Sequence, residues 1–511
     1  MEQNSHNVVD IQLPNDPVDQ ITRSTSQDVE LAALPATKEP TKADDLFLVT
    51  FDEPFDPENP RCWSRSKKWT VTDVLAATSF NRIMVSTIMA PALSTISHEL
   101  HMSDMEAVMA LSAYMLATAF GPLVLGPLSE LYGRKPLLHV SNVWFLVFNI
   151  VCGFANSKEL LIASRFIAGF GASAIYSLSG GVLGDVWTAE QRGKSLAIYL
   201  LIPLLGAAVG PIIGGFMAER TTWRWMFWST SAFQAVMIML SFYAFHETYG
   251  PLILRRRAAK LRKDTGDQRY YTAAERLDGS KSVREVLLRA LTRPLRLLAT
   301  HPAVQCMALL SGFSYGVLYI VLSTFADMWI KRFHTSIEIS GLHYIAVALG
   351  EIAGSQVGGA LMDRVYKRLT RRANGETAPE FHLPLMLPGS IIGAAGLLIY
   401  GWAAHFPVFW FVVDLGVFVF CLGAQIAGMP LNAYIIDAYP EYASSATAAM
   451  QFLRSLTAFA FPLFAPKMYA VMGYGWGNST IAFSILGLGM PAAVALWVFG
   501  ARLRAKQESG Y

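Results

Sequence analysis

Apolar residues run through this chain in stretches of about twenty, each ended by a short polar or basic turn. The segment 191–248 shows the pattern: a basic start, an apolar run, a turn at Glu219–Arg220, then a second apolar run. About 20 consecutive apolar residues are what a helix needs to cross the hydrocarbon core of a bilayer. Read against their flanks, such runs predict helices over 72–95, 107–128, 136–155, 160–184, 194–217 and 223–246. After a gap come 303–327, 339–362, 383–403, 407–433, 446–470 and 476–500. Composition agrees, since 53% of the 511 residues are hydrophobic and 15% charged, against about a quarter charged in a soluble domain. The expected fold class is all-α and integral to the membrane, with twelve spans in two sets of six.

Lys and Arg set the orientation, because cytoplasmic loops carry the excess of them. They crowd the flank before the first span (Arg65, Lys67, Lys68) and alternate loops (Arg134–Lys135, Arg192 and Lys194, Arg364 to Arg372). Arg502, Arg504 and Lys506 follow the last span. Both termini are therefore expected in the cytoplasm. The opening residues are rich in Asp, Glu, Pro, Ser and Thr without an apolar run, which predicts a disordered tail and no cleavable signal peptide. The chain divides into that tail (1–68), a first six-helix bundle (69–247), a basic central loop (248–301), a second bundle (302–500) and a C-terminal tail (501–511). In the loop, Arg255–Arg257, Lys260, Arg262 and Lys263 alternate with apolar residues. A helix lying on an anionic leaflet has this pattern, and so does a solvated linker that orients the chain by charge. Its position between bundles accounts for it without nucleic acid.

The two halves echo one another. Gly126-x-Leu128-x-Glu130 after the second span returns as Gly359-x-Leu361-x-Asp363 after the eighth. Asp185 at the end of the fourth span is matched by Asp437 at the end of the tenth, and Pro211 by Pro462 in the span that follows. Paired bundles with repeated structure are the plan of many secondary transporters, which hold substrate near the midplane between them.

Between the second and third spans, Gly126-Pro-Leu-Ser-Glu-Leu-Tyr-Gly-Arg-Lys-Pro136 sets Glu130 against Arg134 and Lys135, with Gly133 beside them, at a helix junction. Opposite charges there can latch one conformation and release it in another. The segment resembles the loop-2/3 signature of the major facilitator superfamily, with Glu130 in place of the usual Asp, as in fungal twelve-spanner drug:proton antiporters. Three further stretches are similar to that subgroup. Arg165 with Gly169 and Gly171 resembles its fourth-helix motif, whose Arg is implicated in proton coupling. Gly206-x-x-x-Gly210-Pro211-x-x-Gly214-Gly215 resembles its fifth-helix antiport motif. Tyr434 to Tyr439, Phe452-Leu-Arg454-Ser and Phe461-Pro-Leu-Phe resemble the polyamine and multidrug branch, as does Asp56-Pro-Glu-Asn-Pro60 with Trp63. The resemblance runs from about residue 50 and implies the major facilitator fold, two pseudo-symmetric bundles, no cofactor, and export of a drug or fungal secondary metabolite in exchange for protons. It implies the plasma membrane as well, with a monomer as the working unit. A nutrient facilitator or symporter is the alternative, and a non-transporting receptor a more distant one. The sugar-porter signature is absent from His246 to Pro251.

Ionisable groups at membrane depth cost about 2.5 kcal/mol or more each, so they call for a reason. Arg82, Arg165, Glu351 and Asp414 lie inside predicted spans, and Arg454 lies toward the cytoplasmic end of the eleventh. Arg82 reads either as a cavity cation for an anionic or carbonyl-rich substrate or as the structural partner of an acid. Glu351 reads either as a proton carrier in contact with substrate or as the fixed partner of an arginine. Asp414 belongs near the outer aqueous mouth; Asp185, Asp363 and Asp437 are helix-end or gate charges. Trp223, Trp225, Phe227 and Trp228 suit an interfacial belt, while Tyr315, Tyr319 and Tyr344 are placed for a cavity or for packing. Asn478-Ser-Thr480 is a glycosylation sequon expected to lie too near the membrane for use. No GxxxxGK[ST] loop, HExxH or other metal spacing occurs, and the four cysteines are scattered. The charge ledger (Arg82 and Arg165 against Glu351 and Asp414) favours a neutral or acidic organic molecule over a polyamine.

Overall fold

The computed structural model describes residues 47–278, 283–406, 408–439 and 443–508. The expected N-terminal tail lies outside the described residues up to position 46, as do residues 509–511 of the C-terminal one. The side chains of Arg192, Lys194, Arg504 and Lys506 are likewise outside the description. The described residues are helical, with one isolated bridge between Leu48 and Tyr271 and no strand.

The first bundle comprises α1 (Arg65–Thr87), α2 (Leu93–Glu99), α3 (Asp104–Tyr132), α4 (Arg134–Gly153), α5 (Lys158–Ala172), α6 (Ala174–Val186), α7 (Ala189–Arg220) and α8 (Arg224–Ala244). The gap that follows holds α9 (Gly250–Thr265), α10 (Ala273–Asp278) and α11 (Val283–Thr300). The second bundle is built from α12 (Pro302–Phe333), α13 (Ile337–Leu342), α14 (Tyr344–Arg372), α15 (Met386–His405), α16 (Trp410–Ala438), α17 (Ala443–Ser484) and α18 (Met490–Glu508). One end of the molecule, the near end, carries Ser64 and α9–α11; the far end carries α2 and α13.

Ten described stretches are long and apolar enough to cross a membrane. One of them, Ala443–Arg502, is 60 residues long, far more than one crossing needs. It doubles back at Gly473, whose φ of +69° suits glycine, and Tyr469 meets Asn478 Oδ1 at 3.0 Å across the turn. The first expected span is also broken: α1 stops at Thr87, and a 3-10 turn through Pro91 bends the chain into α2.

Glycines let the long helices touch backbone to backbone. Gly206, Gly210 and Gly214 recur every four residues on α7 and lie against α1. A Cβ on Gly206 would sit 2.6 Å from the Phe80 carbonyl, and one on Gly210 2.5 Å from that of Met84. On the adjoining face, Gly341 of α13 would place a Cβ 2.6 Å from the Pro211 carbonyl, so the bundles meet there at the far end. Arg220 and Glu338 close the same seam with two bonds of 2.9 and 3.1 Å. On the other side of the molecule, Thr118 of α3 meets Ser455 of α17 at 2.9 Å.

The central loop holds the helices α9, α10 and α11, and two of its arginines, Arg262 and Arg257, are held by acids. Arg262 pairs with Glu275 at 2.6 Å. Arg257 reaches the strap of residues 47–63 ahead of α1, where it meets Asp56 at 2.8 Å and Glu58 at 2.9 Å. Asp56 is fully buried and also accepts from the Asp52 and Glu58 amides. Burial opposes its charge, but Arg257 and those amides outweigh it and hold the carboxyl below its usual range. The clasp is therefore complete at neutral pH and is lost only as pH falls through that lowered value. Protection of the backbone amides over 47–58 and 250–265, taken relative to their intrinsic exchange rates and read by mass spectrometry, is expected to hold at neutral pH and to fall only as pH drops below the ordinary carboxylate value of about 4 toward the lowered one. Asp56→Asn is expected to exchange fast already at neutral pH.

Candidate functional site: the near-end latch and the central polar cluster

At the near end, the loop signature folds around Gly133, whose φ of +102° bars other residues. Arg134, the next residue, starts α4 and turns its side chain to α6 and α3. Its Nε meets Asp185 at 3.3 Å, its Nη1 donates to Ser129 Oγ at 2.5 Å, and its guanidinium lies 5.0 Å from the Tyr249 ring centroid. Glu247, just past α8, supplies the remaining acid. Its carboxylate accepts from the backbone amides of Arg134 (2.9 Å), Lys135 (3.3 Å), Thr248 (3.0 Å) and Tyr249 (3.0 Å). A carboxylate at a helix N-terminus meets unpaired N–H groups and the positive end of the helix dipole. Gly126 packs on Ser177 of α6, and Glu130 stands exposed, apart from these bonds. In the second half, Asp437 at the end of α16 accepts from His382 Nε2 at 2.9 Å, and His382 stacks on Tyr366. Asp363 is exposed.

At mid-depth the first bundle holds two buried arginines. Arg165 of α5 donates to the carbonyls of Val85 (2.9 Å), Ala110 (3.2 Å) and Leu111 (3.2 Å), joining α1 and α3. Its guanidinium also lies 4.7 Å from the Tyr114 ring centroid. Arg82 of α1 donates to Ala172 O at 3.1 Å, Ser141 Oγ at 3.3 Å and Asn142 Oδ1, joining α4 and α5. Both are bound by oxygen atoms of their own bundle, and neither has an acid partner among the described residues. A helical carbonyl keeps a second lone pair for such donors.

Arg82 Nε is nonetheless buried without a partner among the described residues, and the second bundle leaves atoms open in the same way. Glu351 of α14 accepts from Gln425 Nε2 of α16, while its other oxygen is buried with no partner among the described residues. Arg454 of α17 lies 4.6 Å from the centroid of the Tyr315 ring, and its Nε is buried and unpartnered in the same sense. Tyr315 and Tyr319 adjoin, with ring centroids 5.4 Å apart. Tyr319 Oη reaches Met115 Sδ at 3.1 Å, which sets this cluster against the first bundle. Gly180 of α6 and Gly428 of α16 face open space on the near side. At the far end a cavity of about 710 Å³ lies between the bundles, with His98, His101, Asp104, Asp327, Lys331 and Tyr469 in its wall.

A family model described as Major Facilitator Superfamily matches residues 75–462. The chain belongs to the Major Facilitator Superfamily. The probable efflux pump mfs2 of Aspergillus flavus is 54% identical, over 83% of this chain and 100% of that relative. The efflux pump vrtL of Penicillium aethiopicum is 41% identical, over 94% of this chain and 95% of its own. Among solved structures, the xylose transporter XylE from E. coli superposes with a TM-score of 0.60 at 16% identity, covering 84% of this chain and 99% of that one. That likeness is one of fold. This superfamily member is thus a multi-pass membrane transporter.

Several partners in the transporter escape sequence reasoning. Gln425, His343 and Glu247 carry no motif, and nothing in a helical pattern says which amide will face which acid. Asp414 has His343 Nδ1 at 2.8 Å, under the Trp329 ring that stacks on the imidazole. Trp223 and Phe227 are buried rather than set in a belt: Trp223 Nε1 donates to Glu99 at 2.7 Å, and Trp225 is the exposed one. Tyr344 is packing, wholly buried and bonded to the Leu322 carbonyl. Asn478 is fully buried with both amide groups bonded, which leaves no access for a glycan. Removing the Glu247 carboxylate strips the cap from α4, a loss of about 0.5–2 kcal/mol. Glu247→Ala is expected to lower the thermal midpoint of the detergent-purified protein, while Glu130→Ala leaves it in place.

Proposed function

We propose that this transporter exports a small organic molecule, a drug or secondary metabolite, across the plasma membrane in exchange for protons. Its relatives bear the names of efflux pumps, and the observation that carries the coupling is the half-satisfied Glu351 carboxyl. A carboxyl group with one free oxygen, shut away from water, can take up a proton or hold a polar group of a substrate. Competition between the two is what exchange requires: substrate leaves as the proton arrives, and the reverse on the opposite side.

In this reading the chain makes twelve crossings, with α1 as the first and the Ala443–Arg502 stretch as the last two, and both termini lie in the cytoplasm. The bundles 69–247 and 302–500 rock about the seams at Gly341–Pro211 and Thr118–Ser455. The near end becomes the cytoplasmic mouth, where the Arg134–Asp185 pair and Glu247 brace the first bundle as a unit. The far-end cavity serves as the exit vestibule. One chain holds both bundles, so a monomer is sufficient.

Reconstituted vesicles with an imposed pH gradient test this. Wild-type protein is expected to drive gradient-dependent movement of a dye or metabolite, and Glu351→Gln to lose the gradient dependence at normal expression. Gradient-dependent transport that survives in Glu351→Gln removes Glu351 from the coupling path. A wild type that moves its substrate without regard to pH is a facilitator.

A further inference from the structure

The helix α14 runs on past the membrane-depth part of the second bundle. From Tyr344 to Met362 it carries one charge, Glu351, and at about 1.5 Å per residue that stretch covers about 28 Å, close to the thickness of a hydrocarbon core. The helix then continues unbroken to Arg372. Arg364, Lys367, Arg368, Arg371 and Arg372 follow one another at steps of three and four, so all five share one face. All are exposed, and they line a groove of about 530 Å³. Upstream on the same face, Leu349, Val357 and Ala360 are exposed as well. Other arginines of the near end are spoken for: Arg134 by Asp185, Arg257 by Asp56 and Arg262 by Glu275. The five on α14 form no ion pair among the described residues, although Asp363 adjoins them in the chain. Charge that only sets orientation needs neither a common face nor freedom from acids. Charge that complements the helix dipole acts in the last turn, which accounts for Arg371 and Arg372 but not for Arg364.

The basic face is also held in place. Tyr366, on the opposite side of α14, stacks on His382 with ring centroids 4.5 Å apart, and His382 is bonded to Asp437 at the end of α16. The extension is thereby fixed to its own bundle with the cations outward. The headgroup layer adds about 5–8 Å to each side of the hydrocarbon core, and the face from Arg364 to Arg372 covers about 12 Å along the helix, so it traverses that layer. Arginine takes two phosphate oxygens at a time, and a cluster of about four to eight Lys and Arg beside a span attracts anionic lipid. Five cations in so short a stretch exceed the charge of a single phosphodiester. We infer that this face is a binding site for anionic phospholipid headgroups, filled best by an inositol lipid that carries further phosphates. The exposed apolar residues upstream on the same face meet its acyl chains. The inference stands apart from the exchange reading; only the naming of that leaflet as the cytoplasmic one rests on it.

Full-length protein in detergent, titrated against a fluorescent phosphatidylinositol bisphosphate and read by anisotropy, tests it. Lys367→Gln combined with Arg368→Gln and Arg371→Gln is expected to weaken binding about tenfold or more. Removing the same charge from the central loop, by Arg256→Gln with Lys260→Gln and Lys263→Gln, is expected to change it less than about twofold. A chain-matched phosphatidylcholine and free inositol trisphosphate are each expected to bind about tenfold more weakly than the inositol lipid. A second measurement needs no variant to fold: a photoactivatable inositol lipid, in nanodiscs that hold the wild type, is expected to label residues 361–376. Labelling that spares this segment, equal losses in the two triple variants, or a face variant that binds like the wild type overturns the inference. Free inositol trisphosphate that binds as tightly as the lipid assigns the groove to a soluble phosphate and overturns it too. Vesicle transport driven by a pH gradient is read separately. If it persists while the face variant binds lipid normally, the lipid site is wrong and the exchange stands; site-specific lipid binding without pH-driven transport has the opposite meaning.

Discussion

An arginine at mid-depth of a helical bundle has to find oxygen, because neither lipid nor apolar side chains can solvate its charge. In the first bundle that demand is met from within. Arg165 takes three backbone carbonyls from α1 and α3, and Arg82 takes Ala172, Ser141 and Asn142. Each guanidinium thus fixes the relative position of three helices. Breaking either set would strand a buried charge, so α1, α3, α4 and α5 behave as one piece. The near-end latch adds α6 and the segment after α8 to that piece through Arg134, Asp185 and Glu247.

Rigidity on one side gives meaning to openness on the other. The second bundle has Asp437 paired with His382, while Glu351, Asp414 and Arg454 each make a contact and each keep one buried atom without a partner among the described residues. The bundles touch through small residues (Gly341 on Pro211), a hydroxyl bond (Thr118 to Ser455) and the Arg220–Glu338 pair at the far end. Arg220 is exposed, so that pair costs less to part than the buried arginine bonds do. In the proposed exchange, a stiff half and a seam that can part are what let one site face two sides in turn. The clasp of Asp56 on Arg257 anchors the central loop to the stiff half.

Much of this was legible in the chain. Apolar runs of span length, broken by basic loops, require a helical membrane protein, because a bilayer interior leaves the backbone only helices or closed barrels. The repeated Gly-x-Leu-x-acid pattern and the matched Asp and Pro positions announce two related halves, and the loop signature points to the family. The glycines at 206, 210 and 214 could be read as close-packing residues, since their spacing puts them on one helix face. Arg82, Arg165 and Glu351 were visible as charges at depth, for hydropathy alone marks them as out of place.

Which atoms those charges would meet was not legible, and the reason is geometric. A sequence gives depth along a helix but not the azimuth at which neighbouring helices present their carbonyls, amides and rings. Arg82 therefore read equally as a cavity cation or the partner of an acid, and the tertiary structure gave it an asparagine, a serine and a carbonyl instead. Glu247 lies in a stretch notable in the sequence only for lacking the sugar-porter signature, and it became the cap of α4. Trp223 and Phe227 read as interfacial because aromatics near span ends often are, but both are buried in the structure, Trp223 bonded to Glu99 of α2 and Phe227 with the Arg165 guanidinium of α5 5.9 Å from its ring centroid. The sequence by itself determined that the chain lives in a membrane and which family it joins, since these depend on composition and order along one dimension. Only the tertiary structure decided that Glu351 turns to Gln425 and Arg454 to the Tyr315 ring, each with one buried atom left open, because that depends on how separate helices turn toward one another.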